Sequence, residues 1–267
     1  MISGVDIIGR ERRNILLVTM DSLRFDAAAE ASRRGLTPRI VGFLSTERWE
    51  ERRTPGTFTF PAHQALFAGF LPKLYTPEQP PRLWECQPPA GKPVHPTTLV
   101  LPAADLLSGL RALGYLTLCI GGVTYFSSET PLGSVLPRMF DQAFWQPLYG
   151  STEPDSTRHQ VDKVLALAQE HHDRPVFMFL NISATHVPLG HYLPAGHGPD
   201  SVEAQIAALS YVDLHLGRLL DALPETGDWL VILTSDHGEA FGEDGFTGHG
   251  IAHPTVLKVP FAQLLTP

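Results

Sequence analysis

Residues 228–249 run from an apolar stretch, 229–233, into Thr234-Ser235-Asp236-His237-Gly238. The apolar part is short and β-branched, as suits a strand covered on both faces, and open α/β sheets place their ligands at the C-terminal ends of such strands. A carboxylate beside an imidazole at that end is a metal-ligand pair, and the mixture of oxygen and nitrogen suits Zn or Mn better than Ca. Gly238, Gly242, Gly245, Gly248 and Gly250 then permit tight turns that return His249 toward the pair. The plainer alternative is a polar loop whose histidine caps a turn.

A second apolar run, 14–20, ends in the same way at Asp21-Ser22-Leu23-Arg24-Phe25-Asp26. If the two runs are neighbours in a parallel sheet, Asp21 and Asp236 converge, an arrangement that two unpaired carboxylates resist and a cation requires. Taken alone, Asp21 also reads as the N-cap of the next helix. Arg24 reads equally as a contact for a substrate anion or as a partner of Asp26.

The third segment is 57–69, which reads as a helix start with Thr59 near the N-cap, Pro61 in the first turn and Gly69 near the C-terminus. A hydroxyl at a helix N-terminus is placed to attack phosphorus, because free N–H groups and the helix dipole favour oxyanions there. Threonine alone is a weak nucleophile. A divalent cation lowers the hydroxyl pKa, which would tie Thr59 to Asp21, Asp236 and His237. Thr59 as a simple cap is the competing reading, with Thr57 the next candidate nucleophile. His186, just past the apolar run 175–182, is a candidate for phosphate contact or leaving-group protonation. His191 and His197 lie in a Gly/Pro loop and read as surface groups, and His171-His172 as a solvated helix end.

These segments need a scaffold that brings them to one edge. Apolar runs at 14–20, 115–120, 175–182, 229–233 and 258–267 alternate with helical stripes. The stripes are Leu106, Leu107, Leu110, Leu113; Val161, Val164, Leu165, Ala168; and Ile206, Leu209, Leu216, Leu219, Leu220, Leu223. Strands alternating with helices predict a three-layer α/β/α fold with a mostly parallel central sheet. Residues 47–53 read as charged surface and 124–157 as a wall of the substrate site. Residues 71–102 hold nine of the 24 prolines and read as an extended surface excursion. Gly121-Gly122 either turns the chain or lets it approach a ligand.

A chain of 267 residues with 43% hydrophobic content supports one domain over 1–267. A net charge of -8 argues against general nucleic-acid binding. Cys86 and Cys119 imply no disulfide framework, and neither a signal pattern nor an apolar run of roughly 18 residues is present. The expectation is a cytoplasmic protein without a membrane partner; the oligomeric state is left open. Twelve histidines, several beside Gly, Pro or Asp, favour metal or phosphate chemistry over core packing.

Across nearly its whole length the chain resembles the alkaline phosphatase superfamily, and within it the sulfatase-like hydrolases. The resemblance rests on 14–26, Thr37-Pro38, Gly114-Tyr115, Phe140-Asp141, Thr185-His186-Val187-Pro188, 234–250 and Lys258-Val259-Pro260. Sulfatases carry a Cys or Ser, matured to formylglycine, in Cys/Ser-x-Pro-x-Arg; the run here is Thr59-Phe60-Pro61-Ala62-His63. Threonine cannot yield that aldehyde, and the run is similar to the Thr-Phe-Pro-Asn-His of phosphodiesterase relatives whose Thr is the nucleophile. The resemblance therefore implies that Asp21, Thr59, Asp236 and His237 share one divalent ion. A second ion is left open, since 181–191 lacks the Asp-x-x-x-His of two-metal members. His186 and His249 are then substrate or proton-transfer groups, and Arg24 and His63 substrate contacts. Larger relatives continue into a C-terminal subdomain, and the expectation from the resemblance is that this domain is without it. The implied activity is hydrolysis or transfer of a small-molecule phosphoric ester through Thr59. The alternatives are sulfuric ester hydrolysis without formylglycine, and a non-catalytic metal-binding accessory protein.

Overall fold

A computed structural model describes residues 13–44, 48–69, 84–86, 99–101 and 104–266 of the protein. The N-terminal stretch and most of the proline-rich 71–102 lie outside the described residues. In chain order the elements are β1 (Asn14–Met20), α1 (Phe25–Arg33), α2 (Pro38–Phe43), β2 (Glu50–Arg53), α3 (Thr59–Ala68), β3 (Trp84–Cys86), β4 (Leu99–Leu101), α4 (Leu106–Ala112) and β5 (Leu116–Ile120). They continue with β6 (Gln142–Phe144), α5 (Ser156–Glu170), β7 (Val176–Ile182), α6 (Val202–Ala222), β8 (Trp229–Thr234), β9 (Ala240–Phe241), β10 (Thr247–Gly248), α7 (Pro254–Leu257) and β11 (Lys258–Thr266).

The central sheet has the order β2-β11-β8-β1-β7-β5-β6. Strands β8, β1, β7, β5 and β6 are parallel, and β11 runs antiparallel to both β8 and β2. The alternation of β1 explains the layering. Leu16, Val18 and Met20 join one core with residues of α1, α5 and α6, whereas Ile15 and Leu17 join a second with Phe67 of α3 and Leu107 and Leu110 of α4. A strand whose two faces are both buried is apolar at most positions, which is why β1, β5 and β7 read as nearly continuous runs. The structure is the three-layer α/β/α arrangement with a mostly parallel sheet.

Several helix starts are set by side chains. Ser201 accepts from Ala204 N at 3.2 Å before α6, and Asp105 Oδ1 accepts from Ser108 N at 2.6 Å before α4. The first turn of α2 is capped from a distance. Buried Asp213, on α6, accepts from Arg39 N at 3.2 Å and Ile40 N at 2.7 Å.

Three local expectations change. Residues 50–53, read as charged surface, are an exposed edge strand, and a run of charged side chains on such an edge discourages pairing with another chain. Leu113, placed on a core stripe, follows the last turn of α4 and is 55% exposed, because the helix ends before its stripe does. Thr59 is the first residue of α3 rather than its cap; the cap position is Phe58, which is extended and makes no side-chain capping bond.

Among the described residues no helix is long and apolar enough to cross a membrane. Behind the strand end of β8, Gly238 packs so closely on α7 that an added Cβ would overlap the Thr255 carbonyl oxygen, a backbone atom that cannot swing away. Gly238→Ala should therefore destabilise the protein by roughly 1–3 kcal/mol, read as a lower urea midpoint at unchanged slope.

Candidate active site

Register brings the two candidate aspartates together. Thr19 of β1 pairs with Thr234 of β8, and two residues beyond each lie Asp21 and Asp236. Both carboxylates are buried, at 0% and 1% exposure. Backbone and hydroxyl bonds shape the turn after β8: Thr54 Oγ1 donates to the Asp236 carbonyl, Ser235 Oγ donates to the His237 carbonyl at 2.6 Å, and Gly238 N donates to Val256 O at 2.8 Å. On the β1 side Ser22 adopts φ 63°, a costly conformation for a residue with a Cβ. Its N–H donates to Asp236 Oδ1 at 3.2 Å and its hydroxyl to Asp21 Oδ1 at 3.2 Å, so the strained residue joins the two carboxylates.

The donor set fits a divalent cation. Asp21, Asp236 and His237 each offer a ligand atom within 4.8 Å of the others. His237 Nδ1 donates to the Gly238 carbonyl at 2.8 Å, which fixes the tautomer and leaves Nε2 with its lone pair toward the cluster. That Nε2 lies 3.4 Å from Asp236 Oδ2, 3.8 Å from Asp21 Oδ1 and 3.4 Å from Thr59 Oγ1. Asp236 Oδ1 accepts from Ser22 N and from His237 N, yet Oδ2 is buried with no hydrogen-bond partner. A carboxylate oxygen in that condition is costly unless a cation meets it.

The electrostatics agree. Burial, then the neighbouring charge of Asp21, raises the Asp236 carboxyl well above its ordinary value. Burial pushes Asp21 up as well, but His186, His237 and the Asn181 amide outweigh it and hold Asp21 below its ordinary value. Burial lowers His237, which keeps its ring neutral and able to ligate.

Thr59, next to the cluster, lines a cavity of about 300 Å³ together with Tyr125, Trp145, Thr152, His186 and His249. His249 Nδ1 donates to buried Glu239 at 2.8 Å, and His186 Nδ1 donates to the Val187 carbonyl at 2.6 Å. Nε2 of each ring is left for the cavity. The two rings are 5.7 Å apart, and His249 is 4.6 Å from His237. The hairpin of β9 and β10 makes that return possible, with Gly242, Gly245, Gly248 and Gly250 all at positive φ.

Two expected substrate contacts are elsewhere. Arg24 is 3% exposed, with Nε and Nη2 donating to Asp26 and Nη1 donating to Glu243 and to the Glu239 carbonyl. Four of its N–H donors thus serve the protein, and it pins the His249 hairpin to the loop after β1. His63 has no exposure; it packs edge-on against Phe126 and Phe179 and bonds to Thr59 and Thr19. Burial lowers its pKa to about 4, so it offers a substrate neither charge nor surface. The sequence reading missed Asn181, which holds Asp21, and Gln205, which bonds Ser22 and Arg24. Their signal was a polar side chain inside an apolar strand run or helix stripe; both prove fully buried.

The model of the family described as Sulfatase matches residues 13–261. The chain belongs to the sulfatase family. A curated sulfatase from Formosa agariphila is 39% identical to this family member over 61 residues, which is 21% of this chain and 12% of that protein. Solved structures share the fold at low identity. The C-terminal periplasmic domain of phosphoethanolamine transferase EptC from Campylobacter jejuni superposes with a TM-score of 0.62 and 14% identity, over 95% of this chain and 79% of that one. The lipoteichoic acid synthase LtaP from Listeria monocytogenes gives 0.62 and 14%, over 95% and 65%. The EcEptC domain from Escherichia coli, in complex with Zn, gives 0.63 and 16%, over 97% and 74%. The chain thus spans slightly under two thirds of the LtaP structure.

For this sulfatase-family chain the buried carboxylate pair predicts opposite responses to one substitution. Asp236→Asn should raise or preserve the melting temperature of metal-free protein, because it removes a buried repulsion, and should abolish stabilisation by added Zn or Mn. Wild type at an ion concentration of about 100 Kd should gain roughly 2.7 kcal/mol. Thermal melts with chelator and with ion compare the two.

Proposed function

We propose that this chain is a metal-dependent phosphoric ester hydrolase or phosphotransferase in which Thr59 is the nucleophile. The observation that carries the proposal is the buried, unpartnered Asp236 Oδ2, grouped with Asp21 and His237 beside the Thr59 hydroxyl. Zn or Mn is assigned over Ca from the oxygen and imidazole donors, and the Zn complex of a neighbour of the same fold makes zinc the first ion to try. When bound, a divalent ion neutralises phosphoryl oxygens and lowers the pKa of a nearby hydroxyl.

The chain's own groups supply the rest. Thr59 Oγ, its proton released to water in the cavity, forms a bond to phosphorus as the bond from phosphorus to the leaving oxygen breaks, giving a phospho-threonine. The leaving oxygen takes a proton from His249 or His186, the two imidazoles that line the cavity. Pro61 in the first turn of α3 has no N–H, so the helix-start donors are Thr59 and Phe60, close to the developing charge. Water then completes hydrolysis, or an acceptor alcohol completes transfer. The names of the EptC and LtaP neighbours support phosphoryl chemistry; the family name keeps sulfuric esters in the comparison.

The test measures kcat/KM of the zinc- or manganese-loaded protein on an aryl phosphate, an aryl phosphodiester and an aryl sulfate. A phosphoric ester should be fastest, and Thr59→Ala should lower its turnover by about 10² or more with metal content unchanged. Turnover by Thr59→Ala close to wild type removes Thr59 from the mechanism, and preference for the aryl sulfate moves the activity to sulfuric esters.

A further inference from the structure

A line of hydrogen bonds runs beneath the ligand cluster through residues that take no part in the steps above. Asn181, at the penultimate position of β7, pairs in register with Thr19 of β1. Its Nδ2 donates to Asp21 Oδ2 at 3.1 Å and to Thr19 Oγ1 at 3.3 Å, and its Oδ1 accepts from Val123 N at 3.0 Å. Thr19 Oγ1 is 3.1 Å from His63 Nε2, and His63 Nδ1 is 2.7 Å from the Thr59 carbonyl. The direction of the line follows from the atoms at its ends. An amide nitrogen only donates and a carbonyl only accepts, so Nδ1 carries the ring proton, Nε2 accepts, and Thr19 donates to it. Asn181, Thr19 and His63 are all without exposure, so no solvent competes for these bonds.

The geometry points to Asn181, Thr19 and His63 as a positioning network that sets the Asp21 carboxylate and the Thr59 nucleophile relative to each other, with the Asn181 amide as the junction. One amide hydrogen fixes the plane of the Asp21 carboxylate; the other begins the path that ends on the backbone of Thr59. His63, placed by its aromatic neighbours, completes that path from the second turn of α3. The inference rests on the reading that Asp21 and Thr59 share one ion. Groups that orient a ligating carboxylate are commonly worth about 10–100-fold in metal affinity, and misplacing a nucleophile by about 1 Å costs on the order of 10² in rate.

Two variants separate the ends of the network. Asn181→Ala should weaken zinc binding by about 10–100-fold, read by competition with a chelating indicator. Thr19→Val keeps the size and β1 packing of the side chain while removing the shared hydroxyl. It should lower kcat on an aryl phosphodiester by about tenfold or more with KM little changed, and Thr19→Ser should restore it. Because Thr19→Val is nearly isosteric, it decides the question even if Asn181→Ala fails to fold. A folded Asn181→Ala that binds zinc as wild type does, or a Thr19→Val with wild-type kcat, overturns the network while leaving the proposed function standing. Wild-type protein that neither binds zinc nor turns over any ester overturns both.

Discussion

Two carboxylates are held side by side in the interior, and the carboxyl edge of the sheet is built around that constraint. Asp21 and Asp236 follow paired positions of adjacent parallel strands, so backbone register alone places them together. Water reaches neither, and like charges in a poorly screened site repel strongly. The protein meets part of the cost with polar contacts: Ser22 and Asn181 donate to Asp21, and the N–H groups of Ser22 and His237 donate to one oxygen of Asp236. The other oxygen of Asp236 has no such help from the chain. A site organised for stability alone would have replaced one carboxylate by an apolar or amide side chain, since a buried charge destabilises a fold when it lacks a partner.

The surrounding structure spends its strongest contacts on holding this edge in place. Arg24 joins the loop after β1 to the hairpin bearing His249, through Glu243 and the Glu239 carbonyl, with Phe241 5.7 Å from its guanidinium carbon. Gln205 reaches from α6 to the carbonyls of Ser22 and Thr185, and Thr185 donates its hydroxyl to the Asp21 carbonyl at 2.7 Å. The loops that carry Asp21 and His249 are thereby tied to the buried strand β1 and to the buried face of α6. Local strain at Ser22 persists because these contacts over-determine its conformation.

Apolar runs and the residues that end them were readable from the chain itself. The two Asp-terminated strands, the glycines that return His249 and the helix start at Thr59 all depend on local sequence, and the structure brings these segments to one edge. The roles of Arg24 and His63 lie beyond local sequence for a common reason. An arginine near a strand end and a histidine one turn into a helix look alike whether they face solvent or core, and only tertiary packing decides. Asp26 and Glu243 claim the first; Phe126 and Phe179 enclose the second. Asn181 was overlooked because one polar residue in an apolar run dilutes into the hydrophobic average, although a polar side chain in such a run is the more telling observation. The edge strand β2 was hidden because its four charged residues lack an apolar face, and its pairing is supplied wholly by β11.

On the proposed reading, the cavity also constrains the order of events. Thr59 is 2% exposed and communicates with solvent through the space lined by Tyr125, Trp145, His186 and His249. The wall is firmly set: Trp145 Nε1 donates to the Gly122 carbonyl at 3.0 Å, and an added Cβ at Gly121 or Gly122 would overlap Phe126 or Asn181. A space of about 300 Å³ is at the small end for a ligand site, and in-line displacement puts the leaving and the incoming oxygen on the same face of phosphorus, opposite Thr59. The first alcohol must therefore leave before water or a second alcohol approaches the phospho-threonine from the same side. A covalent intermediate suits such a cavity, since it keeps the phosphoryl group in place while the occupants exchange. The choice between hydrolysis and transfer then falls to whichever hydroxyl fits the vacated space beside His186 and His249, so the aromatic wall that admits the ester also selects its acceptor.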